Sequence, residues 1–137
     1  MRVRSHLFPV LTAVTALAFA STAHAAGAVK ATFTIKNAGT AWGQSVYVVG
    51  DVDALGKWDP GKGLALKMHG SGKNATWTGS TSLPAGSPVQ YKYVKWDGKG
   101  ADWEGDQSTK SKNREVHTPA SGTVTFDDHS FRKPKAN

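Results

Sequence analysis

From Val29 to Lys36 apolar and polar residues alternate without a fault, with Val29, Ala31, Phe33 and Ile35 on one face and Lys30, Thr32, Thr34 and Lys36 on the other. That period of two is the mark of a strand with one buried face. After the turn-rich Asn37-Ala38-Gly39-Thr40, the β-branched and aromatic run Ser45 to Val49 predicts a second strand, ended by Gly50. A third is predicted over Thr76 to Leu83, closed by Pro84-Ala85-Gly86, although Gly79, Ser80 and Thr81 offer it little to bury. In a fourth, Val89 to Trp96, Val89, Tyr91 and Tyr93 fall on one side and Lys92, Val94 and Trp96 on the other. Asp97-Gly98-Lys99-Gly100 is a strong turn, and short strands follow at Glu115-Val116 and Thr123 to Phe126. No window of about eleven residues or more carries a helical period. Six or seven short strands in about 105 residues predict an all-β chain folded as a β-sandwich. An OB-type barrel is the alternative.

The first 25 residues stand outside that pattern. Arg2 and Arg4 form a positive start, Leu7 to Ala20 is apolar, and Ala23-His24-Ala25 places small side chains where a signal peptidase reads them. The apolar run of 14 residues falls short of the roughly 20 that span a bilayer. Residues 1–25 are therefore expected to be a signal peptide, residues 26–28 a short lead-in, 29–132 the domain and 133–137 a basic tail with Lys133-Pro134-Lys135. The expected location is extracellular, with no membrane partner.

Composition narrows the functions open to the chain. A length of 137 residues allows one domain, which excludes a two-domain enzyme and a doubly wound dinucleotide fold. The absence of Cys removes disulfides, a thiolate nucleophile and Cys-based zinc sites. His69, His117 and His129 stand far apart and in no metal-ligand spacing, so no metal and no cofactor is expected. Glycoside hydrolysis needs two carboxyl groups at a defined separation, one with a raised pKa. Asp102, Glu104, Asp127 and Asp128 lie in polar, surface-like sequence and are expected to be solvated, so no catalytic residue is assigned. The serine residues form no nucleophile elbow. Asn74-Ala75-Thr76 has the form of a glycosylation acceptor.

Five tryptophans carry the candidate chemistry: Trp42, Trp58, Trp77, Trp96 and Trp103. Trp42 lies between Ala41 and Gly43, Trp58 among Gly56, Lys57, Asp59 and Pro60, and Trp103 between Asp102 and Glu104. Loops run over surfaces, so these three are expected to be exposed for contact, whereas Trp77 and Trp96 are expected to pack. Indole planes with Lys, Asn and acidic neighbours suit a neutral, hydroxyl-rich ring whose faces carry C–H groups and whose edges carry hydroxyls. Partial burial at about 25 cal/mol per Å² gives on the order of 1–2 kcal/mol per stacked sugar. After association costs, a dissociation constant between roughly 1 μM and 1 mM follows.

Val46-Tyr47-Val48-Val49-Gly50 followed by Leu55-Gly56-Lys57-Trp58-Asp59 resembles the family 20 carbohydrate-binding modules, the starch-binding domains appended to many amylases and glucoamylases. Further matches follow in order: Leu83-Pro84-Ala85-Gly86, Gln90-Tyr91-Lys92-Tyr93, Trp103-Glu104, Asn113-Arg114-Glu115 and Ser130-Phe131-Arg132, where the family usually has Trp then Arg. The resemblance spans Val29 to Arg132 and implies an immunoglobulin-like antiparallel sandwich of about seven strands. It implies a main glucan site with Trp58 and Trp103 as stacking planes and Lys92 and Asn113 as hydrogen-bonding partners, and a second site at Trp42. The Tyr and Asp of that second site have no counterpart in Lys67 to Gly72, and about four extra residues within Gln107 to Lys112 lengthen the loop before Asn113. The implied ligands are starch and related α-glucans: amylose, amylopectin, maltooligosaccharides and cyclodextrin. A separately secreted amylase is a further implied partner.

The pI of about 9.8, with tryptophans beside lysines on strands, raises a second reading, a domain for single-stranded nucleic acid or another anionic polymer. Its charge is spread rather than clustered, and acidic residues flank Trp58 and Trp103, where phosphates would approach. The expectation is non-catalytic glucan binding, with no nucleic acid.

Overall fold

A computed structural model describes residues 27–105 and 113–132. The expected leader, the lengthened loop within 107–112 and the basic tail lie outside the described residues. Two sheets face each other. One has the order β4-β5-β1-β9, from Lys67–His69, Thr76–Pro84, Ala28–Lys36 and Thr123–Asp128. The other has β3-β2-β6, from Leu64–Ala65, Ser45–Gly50 and Pro88–Trp96, with β7 (Ala101–Trp103) and β8 (Arg114–His117) both pairing with β6. Among the described residues the helical segments are short 3₁₀ turns at Asp53–Trp58, Pro60–Lys62 and Gly72–Asn74.

The alternation of β1 orients the sandwich. Val29, Ala31, Phe33 and Ile35 are fully buried, opposite Val46, Val48, Val89, Tyr91 and Tyr93 of the facing sheet. Phe33 meets Tyr91 edge-on at 5.0 Å and Phe126 at 5.2 Å, distances at which aromatic pairs add to simple area burial. The pairing is antiparallel except for β1 with β9, which run parallel with Phe33 opposite Phe126. The third expected strand turns out to be central, pairing with β1 along nine positions from Ala28↔Pro84 to Lys36↔Thr76. Its small residues serve packing: a methyl on Gly79 would lie 2.8 Å from Leu66 Cδ2, so glycine leaves room for the buried Leu66. Trp77 is buried as expected, whereas Trp96 is half-buried at the end of β6 and outside the main core cluster.

One edge of β6 matters most for function. β7 pairs with Val94–Trp96 and β8 with Pro88–Tyr91, so the two short strands follow one another along that edge and leave Lys92 and Tyr93 between them. In the gap, Glu104 N–H donates to Tyr93 O and Tyr93 N–H donates to Glu104 Oε1, each at 3.0 Å. A carboxylate thus takes the place of a missing ladder partner, as a buried amide requires.

Candidate functional site

Trp58, Lys92, Trp103 and Asn113 line one open cleft of about 310 Å³. These are four of the five residues singled out in the sequence, brought together from four separate segments. Both indoles are half-buried, so part of each ring remains open to water.

Trp58 is presented by an unusual backbone. Gly56 (φ 77°), Lys57 (φ 49°) and Trp58 (φ 67°) follow one another in the left-handed region. Only glycine fits the first position, because a methyl there would stand 2.6 Å from the Lys62 carbonyl carbon. Leu55, fully buried, anchors the segment, and Lys57 N–H donates to Val52 O at 3.3 Å. Asp59 closes it by accepting from Gly61 N–H at 3.0 Å. Non-glycine residues held left-handed cost energy and persist only where their surroundings enforce them.

Of the other three residues, Lys92 lies on β6, Trp103 ends β7 and Asn113 immediately precedes β8. Trp103 lies on a strand, opposite Val94, rather than in the loop that its acidic neighbours suggested. Lys92, to which the resemblance gives a hydrogen-bonding role, is only 9% exposed and lines the cleft from the gap between the two short strands. Asn113, one residue before β8, donates from Nδ2 to Gln90 Oε1 at 3.0 Å.

The opposite face of the same strands carries charge, which corrects the expectation that all the acids are solvated. Glu104 is 1% exposed and accepts from both Nε and Nη2 of Arg114, at 2.8 and 2.9 Å. Arg114 Nη1 reaches Asp128 Oδ1 at 3.1 Å, and Asp128 Oδ2 accepts from the hydroxyls of Tyr91 (2.7 Å) and Tyr93 (2.8 Å). Burial pulls the Arg114 guanidinium down, but Glu104 and Asp128 outweigh it and hold its pKa above the ordinary value. Burial first, then Asp128, pushes both tyrosine hydroxyls well above the usual phenol range. Sequence reasoning missed this network because each member looks solvated among its own neighbours. Both carboxylates are engaged by one guanidinium on the face turned away from the cleft, an arrangement unlike a pair flanking a scissile bond. Among the described residues no group of three or more His, Asp or Glu side chains could hold a metal ion.

Trp42 stands apart, fully exposed at 103%. It sits in a turn closed twice, by Gln44 N–H donating to Ala41 O at 3.0 Å and Ala41 N–H donating to Gln44 Oε1 at 2.8 Å. Its cleft, about 610 Å³, also includes Met68, Lys73 and Trp77. Met68, exposed on β4, is the apolar neighbour in the segment lacking the expected Tyr and Asp.

The fold is thus a two-sheet sandwich with an open cleft lined by two indoles, an amine and a carboxamide. The chain belongs to the starch binding domain family, whose model matches residues 28–127. It is 38% identical over 94 residues to a cyclomaltodextrin glucanotransferase of Bacillus sp. (strain 38-2), a match covering 68% of this chain and 12% of that protein. Glucoamylase-1 of Schizophyllum commune is 34% identical over 89 residues, covering 65% of this chain and 14% of the relative. The chain thus corresponds to a small part of these curated relatives. Among solved structures, the family 20 module of a maltotetraose-forming amylase from Pseudomonas saccharophila aligns with a TM-score of 0.55 and 31% identity, covering 70% of this chain and all of that one. A Hypocrea jecorina glucoamylase aligns at 0.64 with 29% identity, covering 74% of this chain and 17% of that one.

Proposed function

We propose that this protein is a non-catalytic starch-binding module that holds α-1,4-glucans across Trp58 and Trp103. The observation that carries this reading is the convergence of those two indoles with Lys92 and Asn113 in one open cleft. Sugar C–H faces lose apolar area against the rings, while the ammonium and carboxamide hydrogen-bond hydroxyls at the sugar edge. Trp42 offers a second contact from a separate cleft, and two contacts on one rigid body raise the effective concentration of glucan on a granule. Residues 1–25 would direct export, so that residues 29–132 work outside the cell beside amylases supplied separately. The acidic neighbours of Trp58 and Trp103 favour a neutral ligand over an anionic polymer.

Calorimetric titration with β-cyclodextrin tests the assignment. A dissociation constant between roughly 1 μM and 1 mM is expected, and Trp58→Ala and Trp103→Ala should each weaken it about tenfold. Wild-type affinity in both single variants would remove the cleft from the account.

A further inference from the structure

We infer that the Glu104–Arg114 ion pair is a positioning device for the glucan cleft, holding Trp103 and Asn113 in register from the opposite face of the strands that carry them; this rests on the reading of the cleft given above. The alternation is complete along three segments. Lys92 faces the cleft between Tyr91 and Tyr93, whose hydroxyls enter the network; Trp103 faces the cleft and Glu104 the network; Asn113 faces the cleft and Arg114 the network. Each of these three ligand-facing residues therefore has a chain neighbour bound on the inner side.

The pair is also built for geometry. The guanidinium grips both oxygens of Glu104 as a two-pronged fork, which fixes distance and angle together. Arg114 Nη2 further donates to Ser130 O at 2.9 Å, and the Arg132 amide donates to Glu104 Oε2 at 3.3 Å, so the segment after β9 closes over the pair. A buried ion pair is expensive to desolvate, and an apolar pair of equal volume often stabilises a fold as well or better. What the fork provides that an apolar pair lacks is a defined separation between β7 and β8, which do not pair with each other along the edge of β6. Trp58 is carried by the Val52–Asp59 segment, whose turn hydrogen bonds join it to itself and to Gly61 and Lys62 rather than to Glu104 or Arg114. The fork should therefore govern Trp103 and Asn113 but not Trp58.

The test is a pair of double-mutant cycles read with β-cyclodextrin at a temperature where near-ultraviolet circular dichroism shows every variant folded. Glu104→Gln keeps the volume and weakens the fork. It should lower affinity about tenfold, as if the Trp103 contact had been loosened. On that background Trp103→Ala should cost less than about twofold more, while Trp58→Ala should still cost about tenfold. Folded Glu104→Gln with wild-type affinity, or equal further losses from the two tryptophan variants, would overturn the inference. If neither tryptophan matters in the wild-type background, the cleft reading fails instead. Should Glu104→Gln not fold, Arg114→Lys serves the same cycles. The Arg114 Nε–H resonance of the wild-type protein gives a further reading: it should move with the Trp103 indole signal during titration, and a stationary signal would count against coupling.

Discussion

The buried tyrosines make stability depend on alkaline pH in a calculable way. Tyr91 and Tyr93 both donate to Asp128 Oδ2, and both pKa values lie well above the ordinary 10.0. Below pH 10 the two phenols are protonated in folded and unfolded chains alike, so their stabilising contribution is fully present. Above pH 10 the unfolded chain releases two protons that the folded chain retains. Unfolding is then favoured by about 1.4 kcal/mol per pH unit for each phenol, or about 2.7 kcal/mol per unit for the pair. Tyr91→Phe removes one of these groups and one hydrogen bond to a charged acceptor. At pH 7 it should cost about 1.5–3 kcal/mol, and its slope above pH 10 should fall to about half. The two stability curves should converge by about 1 kcal/mol between pH 10 and pH 11, and by about 1.4 kcal/mol per unit beyond that. Guanidinium unfolding at a series of pH values, followed by fluorescence, reads both quantities. Parallel curves for wild type and variant above pH 10 would show that the folded state does not hold that proton.

Three further outcomes follow from particular contacts. Lys57→Gly should stabilise the protein by up to about 1 kcal/mol in chemical denaturation, because glycine bears no penalty at φ 49°, whereas Gly56→Ala should destabilise it by about 2 kcal/mol or more. Trp42→Ala should leave β-cyclodextrin affinity at the Trp58–Trp103 cleft within about twofold while lowering adsorption to granules, since only the second contact of a bivalent surface is lost. Raising salt from about 50 mM to about 200 mM should barely change glucan affinity; a fall of tenfold or more would indicate a ligand held by phosphate-like charge.

The parts of the fold legible in the sequence are those where one strand records its own burial. β1 shows both faces in nine residues, and its four inward side chains are all in the core. Polar neighbours led to the expectation of three exposed loop tryptophans: Trp42 is exposed, whereas Trp58 and Trp103 are half-buried and Trp103 lies on a strand; their grouping in one cleft followed from the resemblance, not from their local context. What stayed hidden depends on partners distant in the chain. β3, β4 and β7 are two or three residues long, too short to display a period, and exist only because β2, β5 and β6 offer edges. Glu104 sits beside Trp103 in a segment that reads as solvated, and its burial is explained by donors distant in the chain: the Arg114 guanidinium and the Tyr93 and Arg132 amides. Lys92 was placed at the site by the resemblance, but its burial comes from the gap between two strands on one edge, which local alternation does not reveal.

Co-sedimentation of residues 26–137 with granular starch is the most direct measure of the claim that Trp58 and Trp103 form the glucan-binding face. The wild-type protein should pellet with starch and stay in solution with cellulose, and a folded Trp58→Ala/Trp103→Ala protein should stay in solution with both. Full adsorption of that double variant would contradict the account.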